Sequence, residues 1–234
     1  MDDTNKLPAR SDDDIHREIY NAIIDGRLHP GEKLGQDELG KVFGVSKTRI
    51  RPILHRLSDQ KIVTIEPMRG AFVARPSVEE AREVNAARQI IEEGVIRAAT
   101  RVAKPKHLKM LRRIVADENE ARQGQNMGCA HRLTGEFHCE LARITGNEVV
   151  ADVVRDLVSR DSLVVGLYQR PNSSACSLHG HSQLIDRIAA GDEDAAAHAM
   201  RHHLQDVMAS LDLGPGQPSS ASLKSAFSHI GNSQ

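Results

Sequence analysis

Three histidines in the second half of the chain have side chains that could bind a metal ion together. His138, His181 and His203 each lie among apolar residues at helical spacing, which predicts that each ring faces the interior of a helical bundle. A lone buried histidine is usually a core residue, hydrogen bonded to a carbonyl or a carboxylate. Three imidazoles that meet form a ligand set for a divalent first-row metal. The spacing alone leaves both interpretations open.

A second group of residues has the chemistry of DNA recognition. Ser46 is predicted to cap a helix, and the segment 41–75 around it is rich in Lys and Arg. Cations and hydroxyl donors at the start of that helix would add to the positive end of its dipole and attract phosphates. The predicted DNA-contacting residues are Lys47, Thr48, Arg49, Arg51, Arg69 and Gly70. The alternatives are a small winged domain that binds protein, or a cluster of charges that is merely solvated.

Two different blocks of sequence must position these residues. In residues 12–75, three segments with helical periodicity precede two β-branched segments joined by a turn at 67–70, which predicts a winged helix-turn-helix domain. Residues 77–212 show only helical periodicity, begin with a capping box at Ser77, and break into six helices. The predicted fold class is therefore mainly α. The polar segments 1–11 and 213–234 are predicted to be disordered tails.

The composition limits the class of protein. A chain of 234 residues with a net charge of −1 suits one or two domains and is not a polycation. Its 3 cysteines lack paired spacing, which argues against a disulfide framework and for a reducing cytoplasm. The N-terminus shows no signal peptide and no apolar stretch reaches membrane-spanning length, so we expect a cytoplasmic protein without a membrane partner.

The first block resembles the GntR family of bacterial transcription regulators. The matching segments are 26–34, 44–51 and 67–73, in the order and at the spacing typical of that family. The resemblance implies that Lys47, Thr48 and Arg51 contact DNA from the recognition helix, with Arg69 and Gly70 at the wing.

Two positions of the recognition helix depart from the family's pattern. Arg49 stands where the family often has Pro or Thr, so a third cation could reach a base or a phosphate. Pro52 stands where the family often has Glu, and a proline there removes a backbone donor and can kink the helix.

Residues 78–211 resemble the helical effector domain of the FadR-like branch of the same family. The matching features are the segment 88–92, Phe137-His138 followed by Gly146-Asn147, His181 eleven residues before Asp192, and Met200 with His203-Leu204. Many members of this branch bind a divalent metal through three histidines and an aspartate, and the histidines correspond to His138, His181 and His203.

The aspartate of that ligand set has no counterpart in this chain. Its position, four residues before the first histidine, is Thr134, so the site lacks one anionic ligand, and His131 is one turn further back. Zinc, nickel or manganese would suit the remaining ligands. The alternative is a polar pocket without metal, in which the same histidines donate hydrogen bonds.

Arg88 is the remaining candidate in the effector site. It can form an i,i+4 ion pair with Glu92 that supports its helix, or its planar fork can bind a ligand carboxylate inside the bundle. The family resemblance favours the second role. The predicted effector-binding residues are Arg88, Thr134, His138, His181 and His203.

Together these features favour a ligand-responsive, homodimeric transcription regulator that binds a double-stranded DNA operator. We expect a repressor that a small carboxylate metabolite releases from its operator, and not an enzyme. One alternative is a metal-dependent hydrolytic enzyme, since three histidines with an open coordination position are what such enzymes use. Another is a DNA-binding protein whose helical domain takes no effector.

Overall fold

A computed structural model describes residues 10–170, 180–214 and 226–227. The chain divides into two compact units between Ala74 and Arg75, and Ala226 and Phe227 belong to the first of them. The predicted fold class, mainly α with a winged helix-turn-helix followed by a helical bundle, is confirmed.

The first unit is built from three helices and a small sheet. Its elements are α1 (Asp12–Ile24), β1 (Lys33–Leu34), α2 (Gln36–Phe43), α3 (Lys47–Asp59), β2 (Val63–Glu66) and β3 (Gly70–Val73). Ser11 and Asp14 form a reciprocal capping box at the start of α1. The turn from α2 to α3 needs glycine at Gly40, because a Cβ there would lie 2.8 Å from the carbonyl oxygen of Val45. This tight turn fixes how α3 leaves α2.

The sheet contains one strand that the sequence did not predict. The three strands are antiparallel in the order β1-β3-β2, with Val63 opposite Val73 and Glu66 opposite Gly70. The two-residue strand β1 pairs Lys33 with Phe72. Two residues are too few to show an alternating pattern, so only the pairing reveals this strand.

The second unit is a bundle of six helices among the described residues. They are α4 (Val78–Val102), α5 (Pro105–Gln123), α6 (Met127–Ile144), α7 (Glu148–Tyr168), α8 (Gly180–Ala190) and α9 (Glu193–Ala209). They break where the sequence predicted, for example at Pro105, which is the first residue of α5, and at Gly146, whose φ of 73° ends α6.

The core of the bundle surrounds the region where the candidate histidines lie. Phe137 on α6, Val154 on α7, Leu184 on α8 and Met200 on α9 are all fully buried in one apolar cluster. Burial of these side chains fixes the rotation of each helix about its axis, and thereby the direction of the neighbouring polar side chains. Among the described residues, no helix combines the length and the apolar character that crossing a bilayer requires.

The predicted disordered tails fall largely outside the described residues. Ala226 and Phe227 are an exception, since both are 3% exposed. Arg27 donates a hydrogen bond of 2.9 Å to the carbonyl oxygen of Ala226, and the ring of Phe227 packs edge-on against Phe43 with a centroid distance of 5.3 Å. The expectation of a loose tail does not hold for these two residues, because they complete the core of the first unit.

Candidate functional site

The recognition helix α3 presents its polar first turn to solvent and its apolar face to the core. Its buried side chains are Ile50, Ile53, Leu54 and Leu57. Lys47, Thr48 and Arg51 are exposed. Ser46 occupies the N-cap position as predicted, but its hydroxyl lies 2.7 Å from that of Thr48 and makes no capping hydrogen bond to the backbone. The hydroxyl of Ser46 therefore occupies no backbone N–H group of the first turn, although the N–H of Arg49 donates to the carbonyl oxygen of Ser46 at 3.0 Å.

The cations of α3 have different surroundings. Arg51 forms no hydrogen bond or ion pair within the described part of the chain, whereas the amine of Lys47 lies 3.7 Å from Asp37. Arg49 is turned toward the start of α1, where its Nε donates to Asp12 at 2.9 Å and its Nη2 to the carbonyl oxygen of Arg10. The DNA contact predicted for Arg49 stays a prediction, and in the free protein its side chain pairs with Asp12. Arg51 is the better placed cation.

The wing places Arg69 and Gly70 at the tip of the β2-β3 hairpin. Arg69 pairs with Glu66 and stacks over the ring of Phe72, 5.3 Å from its centroid. Gly70 has a φ of 104°, which an L side chain rarely adopts. Pro52 lies inside α3, which continues through it to Asp59, so the proline does not end the helix.

The three candidate histidines meet inside the second unit. His138 on α6 is 2% exposed, His181 on α8 is 2% exposed and His203 on α9 is 6% exposed. The Nε2 atom of His138 lies 3.4 Å from Nε2 of His181 and 3.4 Å from Nε2 of His203. Their potential ligand atoms all lie within 4.8 Å of one another. The ring of Phe137 stacks on His181 at 4.2 Å and helps to hold it in this orientation.

Two buried carboxylates hold the outer nitrogens of this cluster. Glu92 Oε2 lies 2.6 Å from Nδ1 of His138, and Glu118 Oε2 lies 2.9 Å from Nδ1 of His181. Because an ionised carboxylate only accepts hydrogen bonds, each Nδ1 carries the proton and each Nε2 directs a lone pair toward the centre. Carboxylate–histidine pairs of this kind orient and strengthen metal ligands in proteins.

The ionisation states of the cluster suit metal ligation. Burial opposes the charge on Glu92, but the neighbouring Arg88 guanidinium prevails and lowers the pKa of that carboxyl to about 2. For the histidines, burial disfavours the charged ring and therefore lowers the pKa. It lowers the pKa of His138, and it lowers the pKa of His203 well below its ordinary value. Both rings are therefore neutral at pH 7, which is the form that coordinates a metal.

Thr134 lies beside the cluster, but its hydroxyl is already engaged. Its Oγ1 is 2.9 Å from Oε1 of Glu118 and 3.0 Å from the carbonyl oxygen of Ala130. A hydroxyl in these contacts does not supply the anionic ligand that an aspartate would. The carboxylate that Thr134 contacts, Glu118, reaches the cluster through Nδ1 of His181.

Arg88 adjoins a small cavity next to the histidines. It is 3% exposed, its Nε donates to Glu92 at 2.6 Å, and its Nη1 donates to Asp161 at 2.5 Å. The predicted i,i+4 pair with Glu92 is therefore present, yet the buried Nη2 has no hydrogen-bond partner. A buried guanidinium donor left unpaired is costly, so Nη2 is available to an acceptor that enters the cavity.

The small cavity is lined by Arg88, by Thr134 and by two of the three clustered histidines. It leaves about 40 Å³ for the centres of water-sized groups. Its polar lining includes Arg88, Arg122, His131, Thr134, His138 and His203, while Val158, Val165 and Val207 supply apolar surface. Apolar walls with a few convergent polar groups are typical of small-molecule sites.

Both units match known families of protein domains. The model described as "Bacterial regulatory proteins, gntR family" matches residues 12–73, and the FCD domain model matches residues 83–206. The chain belongs to the GntR family. It is a transcriptional regulator of that family with an FCD effector-binding domain.

Individual relatives of this regulator agree with the assignment. The HTH-type transcriptional repressor RspR of Escherichia coli (strain K12) is 24% identical over 198 residues, which are 84% of this chain and 87% of that protein. The fold is similar to that of E. coli McbR/YncC, with a TM-score of 0.76, 18% identity, and coverage of 85% of this chain and 95% of that one. A putative GntR transcriptional regulator from Rhodococcus sp. RHA1 gives a TM-score of 0.75 at 21% identity, with the same coverage.

The family decides between the functional alternatives that the sequence left open. Members of the family are transcription regulators and not enzymes, so the prediction that this regulator is not an enzyme is confirmed. The hydrolytic alternative is not supported.

Sequence analysis missed three charged residues of the site, Glu118, Asp161 and Arg122. Glu118 and Asp161 lie on α5 and α7, and both are buried against the site. The only local signal for Glu118 was a cation four residues later, Arg122, which pairs with it at 2.7 Å. Such i,i+4 pairs are common on exposed helix faces, and nothing in the sequence around Asp161 distinguished it.

Proposed function

We propose that this regulator is a homodimeric repressor that a small carboxylate metabolite releases from its DNA operator. Residues 12–75 would bind DNA, and residues 77–212 would bind the effector and form the dimer. The observation that carries the effector assignment is the unpaired Nη2 of Arg88, which is 3% exposed and lines a cavity shared with His138 and His203. An Arg fork matches a carboxylate in shape and charge.

The donors that line the cavity would bind a small carboxylate, although the charge around Arg88 is already balanced. Glu92 and Asp161 carry two negative charges against the one of Arg88, so a ligand carboxylate would rely on the unpaired Nη2 donor, on Arg122 and on a metal ion at the histidines. The space of about 40 Å³ for the centres of water-sized groups would admit a small carboxylate.

A divalent metal fits the donor set of His138, His181 and His203. The three Nε2 atoms converge, and two of the rings are held in the ligating tautomer by carboxylates. Zinc, nickel or manganese would be held by these three nitrogens, and the ion's charge would add to the attraction for a carboxylate. Thr134 stands at the position of the family's aspartate. Because a threonine is neutral, the positive charge of the metal ion would be less compensated than it is by an aspartate ligand.

DNA binding is assigned to the exposed end of α3 and to the wing. Arg51 has no acidic partner among the described residues, and Lys47 and Thr48 are exposed beside it. Arg69 and Gly70 would reach the adjacent groove or its phosphates. One recognition helix reads few base pairs, so two copies on a pseudo-palindromic operator are expected. A repressor role is supported by the relative RspR, whose name describes it as a repressor.

The test is an operator-binding assay with a panel of small carboxylates, in the presence and absence of zinc. The active compound should weaken operator binding by wild-type protein and should raise its melting temperature. Arg88→Lys keeps the charge but loses the fork, so it should reduce effector sensitivity at least about tenfold while operator affinity stays unchanged. Arg82→Lys is the matched control, because Arg82 is an exposed arginine of the same helix.

The outcomes separate the remaining alternatives. A protein that binds its operator but gains no stability from any carboxylate, with or without metal, would be a DNA-binding protein without an effector. An effector response that Arg88→Lys leaves intact would contradict the role assigned to Arg88. His181→Ala should abolish metal uptake by the interior cluster and the effector response, and leave DNA binding intact.

A further inference from the structure

Two histidines on the outer face of α9 form a pair that the interior site does not use. His198 and His202 are exposed and four residues apart, whereas His203 on the same helix points into the bundle. Residues at this spacing lie one above the other on a helix surface. The Nε2 atoms of the two rings are 3.2 Å apart, and the ring centroids are 4.4 Å apart.

The separation of these nitrogens matches the bite of a metal ion. Zinc–nitrogen bonds of about 2.0–2.1 Å at a tetrahedral angle place two imidazole nitrogens about 3.3–3.4 Å apart. The same spacing suits a hydrogen bond between two neutral rings, in which one Nε2 carries a proton. With both protons on Nδ1, both Nε2 atoms carry lone pairs, so a metal can take the place of that shared proton. The pair therefore needs no change of backbone to chelate.

The surroundings of the pair add oxygen ligands along the same helix face. Asp194 lies one turn before His198, and Asp206 lies one turn after His202. Both carboxylates line the groove between α8 and α9 that also contains the two histidines. Asp194 is paired with Arg97, so Asp206 is the freer of the two acids. Imidazole together with carboxylate and water is a ligand set for zinc, copper or nickel.

We propose that His198 and His202 form a surface site for a first-row divalent transition metal, separate from the interior histidine cluster. The metal is zinc, nickel or copper, held by the two Nε2 atoms, with the remaining positions filled by water and by the carboxylate of Asp206. Paired histidines at i and i+4 on one helix face are a metal-binding arrangement in their own right. This site would respond to metal whether or not the interior cluster binds one.

The test measures Zn²⁺ bound per chain on full-length protein without an affinity tag. Equilibrium dialysis followed by elemental analysis is carried out on wild type, His198→Ala, His202→Ala and the double variant. His55→Ala is the control, because it removes an exposed histidine of another helix. Each single variant should lose one equivalent of zinc, or bind it at least about tenfold more weakly, because a lone imidazole does not chelate. The double variant should bind no less than either single one.

Two results would overturn the proposal. Zinc uptake by His198→Ala and His202→Ala that equals the uptake by His55→Ala would mean that the pair does not bind. A loss of bound zinc in the double variant that equals the sum of the losses in the two single variants would mean that the histidines bind independently and do not form a chelate. His181→Ala distinguishes the two sites, because it should remove the interior equivalent and keep the one that depends on His198. Copper added to a variant that lacks both His138 and His181 should give an electron paramagnetic resonance spectrum with two coupled nitrogens, and the further change His202→Ala should reduce them to one.

Discussion

Glu118→Gln should weaken both metal binding and the folded state, because no orientation of an amide can replace this carboxylate. Oε1 of Glu118 accepts from Arg122 at 2.7 Å and from Thr134 at 2.9 Å, while Oε2 lies 2.9 Å from Nδ1 of His181. An amide that turns its oxygen to Arg122 turns its NH₂ to His181. Nδ1 must then accept, so the proton moves to Nε2 and blocks the metal-facing lone pair. The opposite orientation places NH₂ against the guanidinium.

The size of the effect follows from the contacts that are lost. Hydrogen bonds to a charged group are worth about 1.5–3 kcal/mol, so the free energy of unfolding of the metal-free protein should fall by about that amount. Loss of the carboxylate behind a metal-ligating histidine typically costs 10–100-fold in metal affinity, which corresponds to about 1.4–2.7 kcal/mol. The side chains of Glu118 and Arg122 are 5% and 9% exposed, so water will not replace the hydrogen bonds that the substitution removes.

The assay combines urea unfolding of metal-free protein with zinc titration against a competing chelator. Glu120→Gln is the matched control, since it removes the same charge from an exposed position two residues away. The pH dependence gives a second measurement. Burial opposes the charge on Glu118, but His181 and Arg122 lower its pKa from 4.5 to about 2. A carboxyl with a lowered folded pKa stabilises the protein above its unfolded pKa. The difference between wild type and Glu118→Gln should therefore shrink as pH falls below about 4.5.

The reasoning would be refuted if Glu118→Gln resembled Glu120→Gln in both zinc affinity and unfolding free energy. It would also be refuted if the stability difference between wild type and Glu118→Gln persisted unchanged at pH 3. Either result would mean that the contacts of Glu118 with His181 and Arg122 contribute nothing to the site.

The remaining predictions concern the missing ligand, DNA and assembly. Thr134→Asp should restore an anionic ligand and bind zinc at least about tenfold more tightly than Thr134→Asn, as measured by the same chelator competition; equal affinities would mean that position 134 does not reach the metal. Arg51→Ala should cost about 1–3 kcal/mol of specific operator binding if Arg51 reads a base. Adding Arg69→Ala should also reduce the salt dependence of operator binding. Arg113→Ala, in the other unit, should change neither the affinity for the operator nor its salt dependence. Light scattering should give a homodimer at micromolar concentration, and a monomer both free and on DNA would contradict the dimeric proposal.

The apolar periodicity of the sequence and its Pro and Gly positions predicted most of the fold. The apolar steps of Ile15, Ile19 and Ile23 indicated α1, and all three are buried on it. Pro and Gly positions marked the helix breaks of the second unit because they act through local backbone geometry. The two-residue strand β1 was not predicted, because its pairing with β3 depends on residues far apart in the chain. The DNA-contacting surface was predicted from residue types, but the ion pair between Arg49 and Asp12 was not, because its partners are 37 residues apart.

The sequence by itself determined that His138, His181 and His203 face the interior, since a helix with an apolar stripe turns that stripe inward whatever it packs against. Only the tertiary structure decided that the three Nε2 atoms meet, because three helices must pack at particular rotations to bring them to 3.4 Å. It also decided which carboxylates stand behind them. Glu92 is 46 residues from His138, and Glu118 is 63 residues from His181. Burial makes such charges costly unless they are paired, and the pairing is a property of the packed core and not of any segment.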